Sequence, residues 1–322
     1  MRNATSTAVG LVLGFVLDRV FGDPRRWHPV AGFGSAAAAL EGTTYADDRR
    51  AGVVHEVIAV GSVAGIGVLV TRGRGSGPSA VLVTALATWT ALGGRSLVRA
   101  GHAMADRLDA GDLAGARELL PSLCGRDPSV LDAEGLARAA LESIAENTSD
   151  AAVAPLLWGA VAGVPGVLGY RAVNTLDAMV GYRNERYERF GWAAARTDDV
   201  ANLVPARVTG LLTAALAPLV GGKPSGALRA WRRDAAGHPS PNAGVVEASM
   251  AGALGIGLGG RTQYRHGTEL RPTLGDGPAP TAVDLRRAVR MSGAVQVGAV
   301  AVAGVIAWLW GRRVGSGGDD RG

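Results

Sequence analysis

The sequence has little of what several protein classes depend on. Its 322 residues include one cysteine, Cys124, so neither an internal disulfide nor a cysteine metal cluster can form. They include one lysine, Lys223, and arginine supplies all other basic side chains. Because arginine stays charged, a mechanism that needs a deprotonated lysine is disfavoured. Only 19% of the residues are charged, against about 25% in soluble proteins, which points to a membrane.

Familiar nucleotide and hydrolase motifs are also missing. The sequence has no GxxxxGK[ST], no GxGxxG after a strand, no GxSxG and no HExxH, so any nucleotide chemistry needs another kind of site. The net charge of +5 comes from arginines that are scattered and not interleaved with aromatic residues. We therefore expect no nucleic-acid partner.

Long apolar runs are what the sequence does contain. A membrane helix needs about 20 mostly apolar residues, and four runs meet this: 51–71, 79–98, 203–222 and 291–311. A fifth run, 151–169, contains Pro155 and Pro165, each of which would remove a helix hydrogen bond, and we favour a re-entrant path for it. The prediction is an all-α, polytopic integral membrane protein, a single domain over 1–322 with four or five membrane helices. Long helical cytosolic loops would cover 99–150, 170–202 and 223–290.

The first of these loops ends in a stripe of acidic residues. If 133–148 is a helix, Glu142, Glu146 and Asp150 lie at i, i+4 and i+8 on one face. Such like charges are either well solvated or neutralised by a cation, and Mg²⁺ prefers oxygen ligands of this kind. A solvated helix end is the alternative to a metal site.

The second loop combines oxygen ligands with arginines. Asn174 and Asp177 lie at i, i+3, and Asp198 and Asp199 form a like-charged pair close to Asn202. Arginine binds phosphate bidentately, so a phosphate site could adjoin a metal site. Anchoring at the membrane interface is the alternative role for these arginines. The arginines concerned are Arg183, Arg186 and Arg189.

Histidines occur in two turn-like segments. His238 begins HPSPN, which predicts a turn, and the helix expected after it carries Glu247 on an otherwise small and apolar face. An ionisable residue at such a position is a functional candidate. Near the N-terminus, Asp23 and His28 could serve in acid–base or metal chemistry, or could equally cap a turn.

Four blocks of this sequence resemble the CobD/CbiB family. They are D-x-x-x-G-D-P-x-x-x-H-P-V from Asp18, ESIAENTSDAAVAPL, YRAVNTLDAMVGYRNERYERFG with RTDDVANLVPAR, and HPSPNAGVVEASMAGALGIGLGG. The resemblance runs from about residue 11 to 310. It implies an adenosylcobinamide-phosphate synthase, a ligase that joins aminopropanol, or its phosphate, to the propionate carboxylate of adenosylcobyric acid. The reaction would require Mg²⁺, with ATP as co-substrate.

The resemblance also implies where the site residues lie. The expected Mg²⁺ ligands are Glu142, Glu146, Asp150, Asp177, Asp198 and Asp199. Substrate and nucleotide would contact Asp23, Arg171, Asn174, Arg183, Arg186, Asn202 and Asn242. The expected catalytic residues are His238 as the first candidate for the proton acceptor, His28 as the second, and Glu146 and Asp177.

The resemblance further places the protein in the cell membrane, with its site facing the cytosol. A homo-oligomer or other cobalamin-assembly enzymes are conceivable partners besides the lipid bilayer. Two other hypotheses stay open. One is a membrane transferase that uses a Mg²⁺-bound prenyl or lipid diphosphate, since N-x-x-D followed by D-D also suits a diphosphate site. The other is a non-catalytic corrinoid transporter subunit or assembly partner.

Overall fold

Helices make up most of the computed structural model, which describes residues 2–23, 28–264 and 267–316. The described residues form thirteen α-helices and one antiparallel hairpin. The helices are α1 (Arg2–Phe21), α2 (Pro29–Thr44), α3 (Arg49–Thr71), α4 (Pro78–Ala91), α5 (Gly94–Asp109), α6 (Leu113–Leu119), α7 (Ala133–Thr148), α8 (Ala154–Val180), α9 (Trp192–Ala201), α10 (Leu203–Leu216), α11 (Pro224–Asp234), α12 (Ala243–Leu254) and α13 (Ala282–Ser316). The strands are β1 (Leu258–Tyr264) and β2 (Gly267–Leu274).

Within the described part of the chain, five helical stretches are long and apolar enough to cross a membrane, which confirms the predicted polytopic, all-α class. The predicted run 79–98 is interrupted, however, because α4 ends at Ala91 and α5 begins at Gly94. The five stretches are Arg49–Thr71, Pro78–Asp109, Ala133–Val180, Leu203–Val220 and Ala282–Trp310.

Contrary to the prediction, the two prolines of 151–169 do not interrupt the helix. Pro155 comes just after a π-helical turn, Ser149–Val153, and the helical stretch Ala133–Val180 continues past it. Gly163 has φ 62° and ψ −148°, so α8 kinks there, and Pro165 falls in the first turn of the segment that follows. A left-handed φ is easily adopted by glycine alone. The stretch is therefore a kinked helix, and its re-entrant path stays a prediction.

The structure differs from the sequence prediction at two further places, both in the polar loops. A π-helical turn, Ser149–Val153, follows α7, so Asp150 does not continue the α-helical spacing of Glu142 and Glu146. After α12, Gly255 adopts a left-handed φ of 72° and ends the helix. The glycine-rich segment that follows then pairs as β1 and β2, a hairpin that the helical pattern did not predict.

The chain divides into two compact units, each built from separated segments. The first unit contains Met1–Gly93, Ala154–Asn202 and Ala299–Gly322, and the second contains Gly94–Val153 and Leu203–Gly298. In the first, α2, α3, α8 and α9 pack around Phe190, whose neighbours include Ala59 and Leu176. In the second, the almost wholly buried α12 packs against α7, α10 and α11. The expectation of a single domain stays a prediction.

Candidate active site

In the first unit, polar side chains of α8 and α9 form a continuous network around Asp198. The Nδ2 atoms of Asn174 and Asn202 donate to the Asp198 carboxylate at 3.3 and 3.0 Å. Tyr170 Oη donates to Asn202 Oδ1 at 2.8 Å, and Arg171 Nη1 donates to Asn174 Oδ1 at 3.4 Å. We call these five residues the Asp198 network. It unites four residues predicted from sequence and adds the buried Tyr170.

The surroundings of Asp198 and its neighbour Asp199 disfavour their negative charge. Burial raises the pKa of Asp198, the negative charge of Asp199 adds to this, and the two amide donors oppose it. Burial also raises the pKa of Asp199, against the opposing charges of Arg196 and Arg183. A carboxylate that is held by neutral amides keeps its charge available to a ligand. Mg²⁺ commonly binds one or two such carboxylates together with substrate phosphates.

Arg186 is held by a carboxylate that the sequence did not single out. Its Nη2 donates to Glu41 Oε1 at 2.7 Å, and Tyr187 Oη donates to the same oxygen at 3.2 Å. The guanidinium also lies 4.2 Å from the centre of the Tyr45 ring. Arg186 thus ties the loop after α8 to α2, whereas Arg183 is exposed on that loop.

The other predicted residues of this unit lie outside the hydrogen bonds described for the network. Asp177 is half-buried on α8, close to one turn beyond Asn174. His28 caps α2, because its Nδ1 accepts from the Val30 N–H at 3.2 Å. Asp23 follows α1, and its Oδ1 has no hydrogen-bond partner among the described residues. Pro24 of the same motif lies outside the described residues.

In the second unit, Glu142 is fixed by a buried ion pair. Its carboxylate pairs with Arg126, both side chains being less than a tenth exposed, and its Oε1 accepts the Gly259 N–H at 2.7 Å. The hairpin thus contributes a backbone donor to the C-terminal half of α7. Since the Glu142 charge is already balanced by a guanidinium, its predicted role as a Mg²⁺ ligand has less support than that of Asp198.

His238 and Glu247 form a second buried polar pair in this unit. His238 Nδ1 lies 3.2 Å from the Ser240 carbonyl oxygen and 3.1 Å from its N–H, while Nε2 lies 3.9 Å from Glu247 Oε1. No described residue hydrogen-bonds to Nε2. Burial lowers the pKa of His238, as does the positive charge of Arg271, so the ring is neutral near pH 7. An imidazole in this state is able to accept a proton.

Glu247 is the residue of this pair whose pKa is shifted more strongly by its surroundings. Complete burial, together with the negative charges of Glu142 and Glu146, raises its pKa well above the usual value. Arg271 and Arg126 oppose the shift but contribute less. Glu247 therefore tends to hold its proton, as carboxyls in apolar sites do.

The remaining predicted residues of the second unit have different surroundings. Glu146 is exposed and Asp150 is half-buried in the π-helical turn. Asn242 is buried, and its Oδ1 accepts from Arg207 Nη1 at 2.8 Å. Among the described residues, no three His, Cys, Asp or Glu side chains are grouped as metal ligands. The six acidic residues expected to hold Mg²⁺ are instead divided, three in each unit. Their role in metal binding stays a prediction.

Several residues that contact the predicted site residues were not identified from the sequence. Glu247 carried a recognisable signal, an ionisable residue on an apolar helix, but was not placed in the site. Arg126 carried none, because its partner lies 16 residues away and its own segment has no helical pattern. Glu41 gave no signal either, since it is 145 residues from Arg186.

Comparison with known proteins agrees with the sequence resemblance. A family model described as CobD/Cbib protein matches residues 11–292. The cobalamin biosynthesis protein CobD of Mycobacterium tuberculosis is 61% identical over 297 residues, which is 92% of this chain and 94% of that protein. The CobD proteins of Rhodobacter capsulatus and Geobacter metallireducens are 43% and 45% identical, over 94% and 84% of this chain and 98% and 87% of their own. No solved structure matches.

Proposed function

Because the chain belongs to the CobD/CbiB protein family, whose relatives are cobalamin biosynthesis proteins, we propose that it is the amide-forming ligase of that pathway. It would join aminopropanol, or its phosphate, to the propionate carboxylate of adenosylcobyric acid at the expense of ATP. The enzyme would lie in the cell membrane with its site facing the cytosol, where ATP is available. The observation that carries this proposal is the Asp198 network.

The reaction needs activation of a carboxylate, since a carboxylate and an ammonium do not condense readily in water. A propionate oxygen would attack the γ-phosphorus of ATP, which releases ADP and forms an acyl phosphate. The amine nitrogen would then attack the acyl carbon, with inorganic phosphate as the leaving group and one proton passed to a base. Positioning and electrostatic stabilisation supply most of the catalysis in such transfers.

The Asp198 network supports the nucleotide part of this reaction. Mg²⁺ that binds with ATP would neutralise part of the charge on the phosphates. Asp198 and Asp199 are the carboxylates best suited to hold it, because Asp198 is oriented by two neutral amides. Arg183, exposed and close enough to Asp199 to act on its charge, would contact phosphate oxygens.

The His238 and Glu247 pair supports the proton transfer. We assign His238 Nε2 as the acceptor of the ammonium proton, in the tautomer whose Nδ1–H donates to the Ser240 carbonyl in place of the Ser240 N–H donating to Nδ1. The carbonyl oxygen of the neutral Glu247 carboxyl would accept a hydrogen bond from the imidazolium once it forms. Removing His238 should therefore slow amide formation more than it slows acyl phosphate formation.

The decisive experiment measures phosphate release by the detergent-purified protein with Mg²⁺-ATP. We expect release only when both adenosylcobyric acid and an amino alcohol are present, and comparison of aminopropanol with its phosphate identifies the true amine. Isotope exchange between ADP and ATP without the amine reports acyl phosphate formation alone, and His238→Asn should retain it. Turnover of a prenyl diphosphate, with no ATP dependence, would instead favour the transferase. Corrinoid binding with neither activity would favour a transporter subunit.

A further inference from the structure

The nitrogen proposed to accept the proton is closed off from solvent. His238 Nε2 is buried and has no hydrogen-bond partner among the described residues, and the whole side chain is 4% exposed. The side chain of Glu247, which faces it, is 3% exposed. A nitrogen in this position is out of reach of a substrate amine unless a neighbouring element moves. Opening of the site is therefore a step that the reaction requires.

The β1–β2 hairpin is one of the elements that pack around this pair. β2 contacts both α11 and α12, and the charge of Arg271 on β2 acts on His238 and on Glu247. Gly237 directly precedes His238, and a Cβ atom on Gly237 would lie 3.5 Å from the Cβ atom of Pro272. The hairpin thus lies against the turn that carries the histidine.

The hairpin is anchored at its base and exposed farther out. Leu258 and Leu274 pair across the two strands and are 1% and 0% exposed. We call the ladder beyond them, residues 260–264 with 267–271, the outer hairpin. Within it, Leu270 is 86% exposed. An isolated two-stranded hairpin is marginally stable in water, so displacing the outer hairpin costs less free energy than displacing a buried helix such as α12.

Two glycines separate the anchored base from the outer hairpin. The strand pairing is irregular between Leu258 and Gly260, and Gly259 and Gly260 each have a φ of 75°. Glycine adopts this left-handed region without strain and leaves it as easily, so we call these two residues the hinge. Glu142 accepts the Gly259 N–H at 2.7 Å. The carboxylate that pairs with Arg126 therefore holds the hinge in its present conformation.

We propose that the outer hairpin is a lid that turns about the hinge to admit the amine substrate to His238. Opening withdraws Arg271 from the pair and uncovers Nε2. Closing excludes water, which would otherwise hydrolyse an acyl phosphate before the amine attacks it. This inference rests on the proposed function for the identity of the substrate, whereas the motion of the lid is testable without turnover.

A disulfide that holds the lid closed tests the proposal in full-length protein. Gly237→Cys with Pro272→Cys places the two Cβ atoms 3.5 Å apart, at the lower end of the disulfide range of about 3.5–4.5 Å, and Cys124→Ser removes the native thiol. Mass spectrometry then measures modification of His238 by diethyl pyrocarbonate. We expect oxidation to slow it at least about tenfold, because lid opening is blocked. The exposed His102 should react equally in both forms.

A cross-link in the first unit is the matched control. A Cβ atom on Gly169 would lie 3.7 Å from that of Ala64, so Gly169→Cys with Ala64→Cys joins α8 to α3. Oxidation of this variant should leave the modification of His238 unchanged. Phosphate release with Mg²⁺-ATP, adenosylcobyric acid and the amine is measured on the same samples. Oxidation should abolish release reversibly in the hairpin variant and leave it unchanged in the control.

The two readouts distinguish failure of the lid from failure of the ligase activity. Protection of His238 on oxidation, without phosphate release by the reduced protein, would support the lid and reject the proposed function. Equal modification of His238 in both forms, or full phosphate release by the oxidised form, would overturn the lid.

Amide hydrogen exchange of the wild type decides the question if the cysteine pair prevents folding. Amides of the outer hairpin should exchange together and at least about tenfold faster than those of Leu258 and Leu274 at the base. Equal exchange rates for the base and the outer hairpin would show that the hinge does not open, and the proposal would be wrong.

Discussion

The two units hold their central carboxylates in opposite ways. In the second unit, Glu142 is paired with a buried guanidinium, that of Arg126, and its charge is balanced within the protein. In the first, the amides of Asn174 and Asn202 donate to Asp198 and orient it without adding an opposite charge, while burial raises its pKa. A buried charge that is paired within the protein contributes to the folded structure. A carboxylate that is oriented by neutral donors is able to bind a positively charged ligand. This difference supports the proposed role of Asp198 in the chemistry more than that of Glu142, and the metal-ligand role of both stays a prediction.

The largest expected effect is on stability and tests the structural half of this comparison. Glu142→Ala or Arg126→Ala leaves a buried charge without its partner, which typically costs about 3–5 kcal/mol. Replacing both residues, as Glu142→Leu with Arg126→Met, should recover most of that loss. Thermal unfolding in detergent measures each variant. If the single variants are as stable as the double variant, the ion pair does not hold the second unit together.

The next effect is on activity and tests the chemical half. Asp198→Asn preserves the shape of the side chain and removes its charge, so we expect kcat to fall about 10²–10³-fold, as when one electrostatic contact to a transition state is lost. The control is Asp199→Asn, because Asp199 already has Arg196 at 3.6 Å, and its loss should be smaller. Initial rates at saturating Mg²⁺-ATP give the comparison. Equal rates for the Asp198→Asn variant and the wild type would remove Asp198 from the nucleotide site.

A third effect appears in the pH dependence of stability. The pKa of Glu247 is raised in the folded state, so between its unfolded and folded pKa the folded protein retains a proton that the unfolded chain has released. Stability contributed by this group is thus fully present below the unfolded pKa, near 4.5, and falls as pH rises towards the folded pKa, by up to about 1.4 kcal/mol per pH unit. Glu247→Gln should flatten this decline, as seen in Tm measured from pH 5 to 8. An unchanged profile would show that Glu247 is not buried as a neutral acid.

The smallest effect sharpens the comparison within the first unit. The Glu41 and Arg186 pair has the same chemistry as Glu142 and Arg126, but the Arg186 side chain is 55% exposed. Water therefore screens the pair, and Glu41→Gln should shift Tm by less than about 4 °C. Its shift should be well below that of Glu142→Gln, measured in parallel. A shift as large as that of Glu142→Gln would mean that exposure does not set the difference.

Much of the fold was predictable because the relevant information is local. Mean hydropathy over about twenty residues locates membrane stretches such as 51–71 and 203–222, whatever the rest of the chain does. The helix expected over 133–148 is α7, and Asp132 caps it by accepting the Gly135 N–H at 2.8 Å. The turn at HPSPN and the helix after it also follow from composition alone.

The backbone differs from the secondary structure predicted from sequence where glycine permits more than one conformation. Gly163 permits either a helical or a left-handed backbone, and only packing selects the kink of α8. The segment after Gly255 is similarly permissive, and its pairing into β1 and β2 brings the Gly259 N–H to Glu142, 117 residues distant. Neither outcome could be read from a periodic pattern.

The sequence by itself determined that this protein is a helical membrane protein with carboxylates, amides and arginines concentrated in its polar segments. Only the tertiary structure decided which of these side chains meet. Asn174 and Asp198 are 24 residues apart, and Glu41 and Arg186 are 145 apart, yet each pair is in contact. Residue type fixes what a side chain is able to bind, but burial and the identity of its neighbours decide whether its charge is balanced internally or remains available to a ligand.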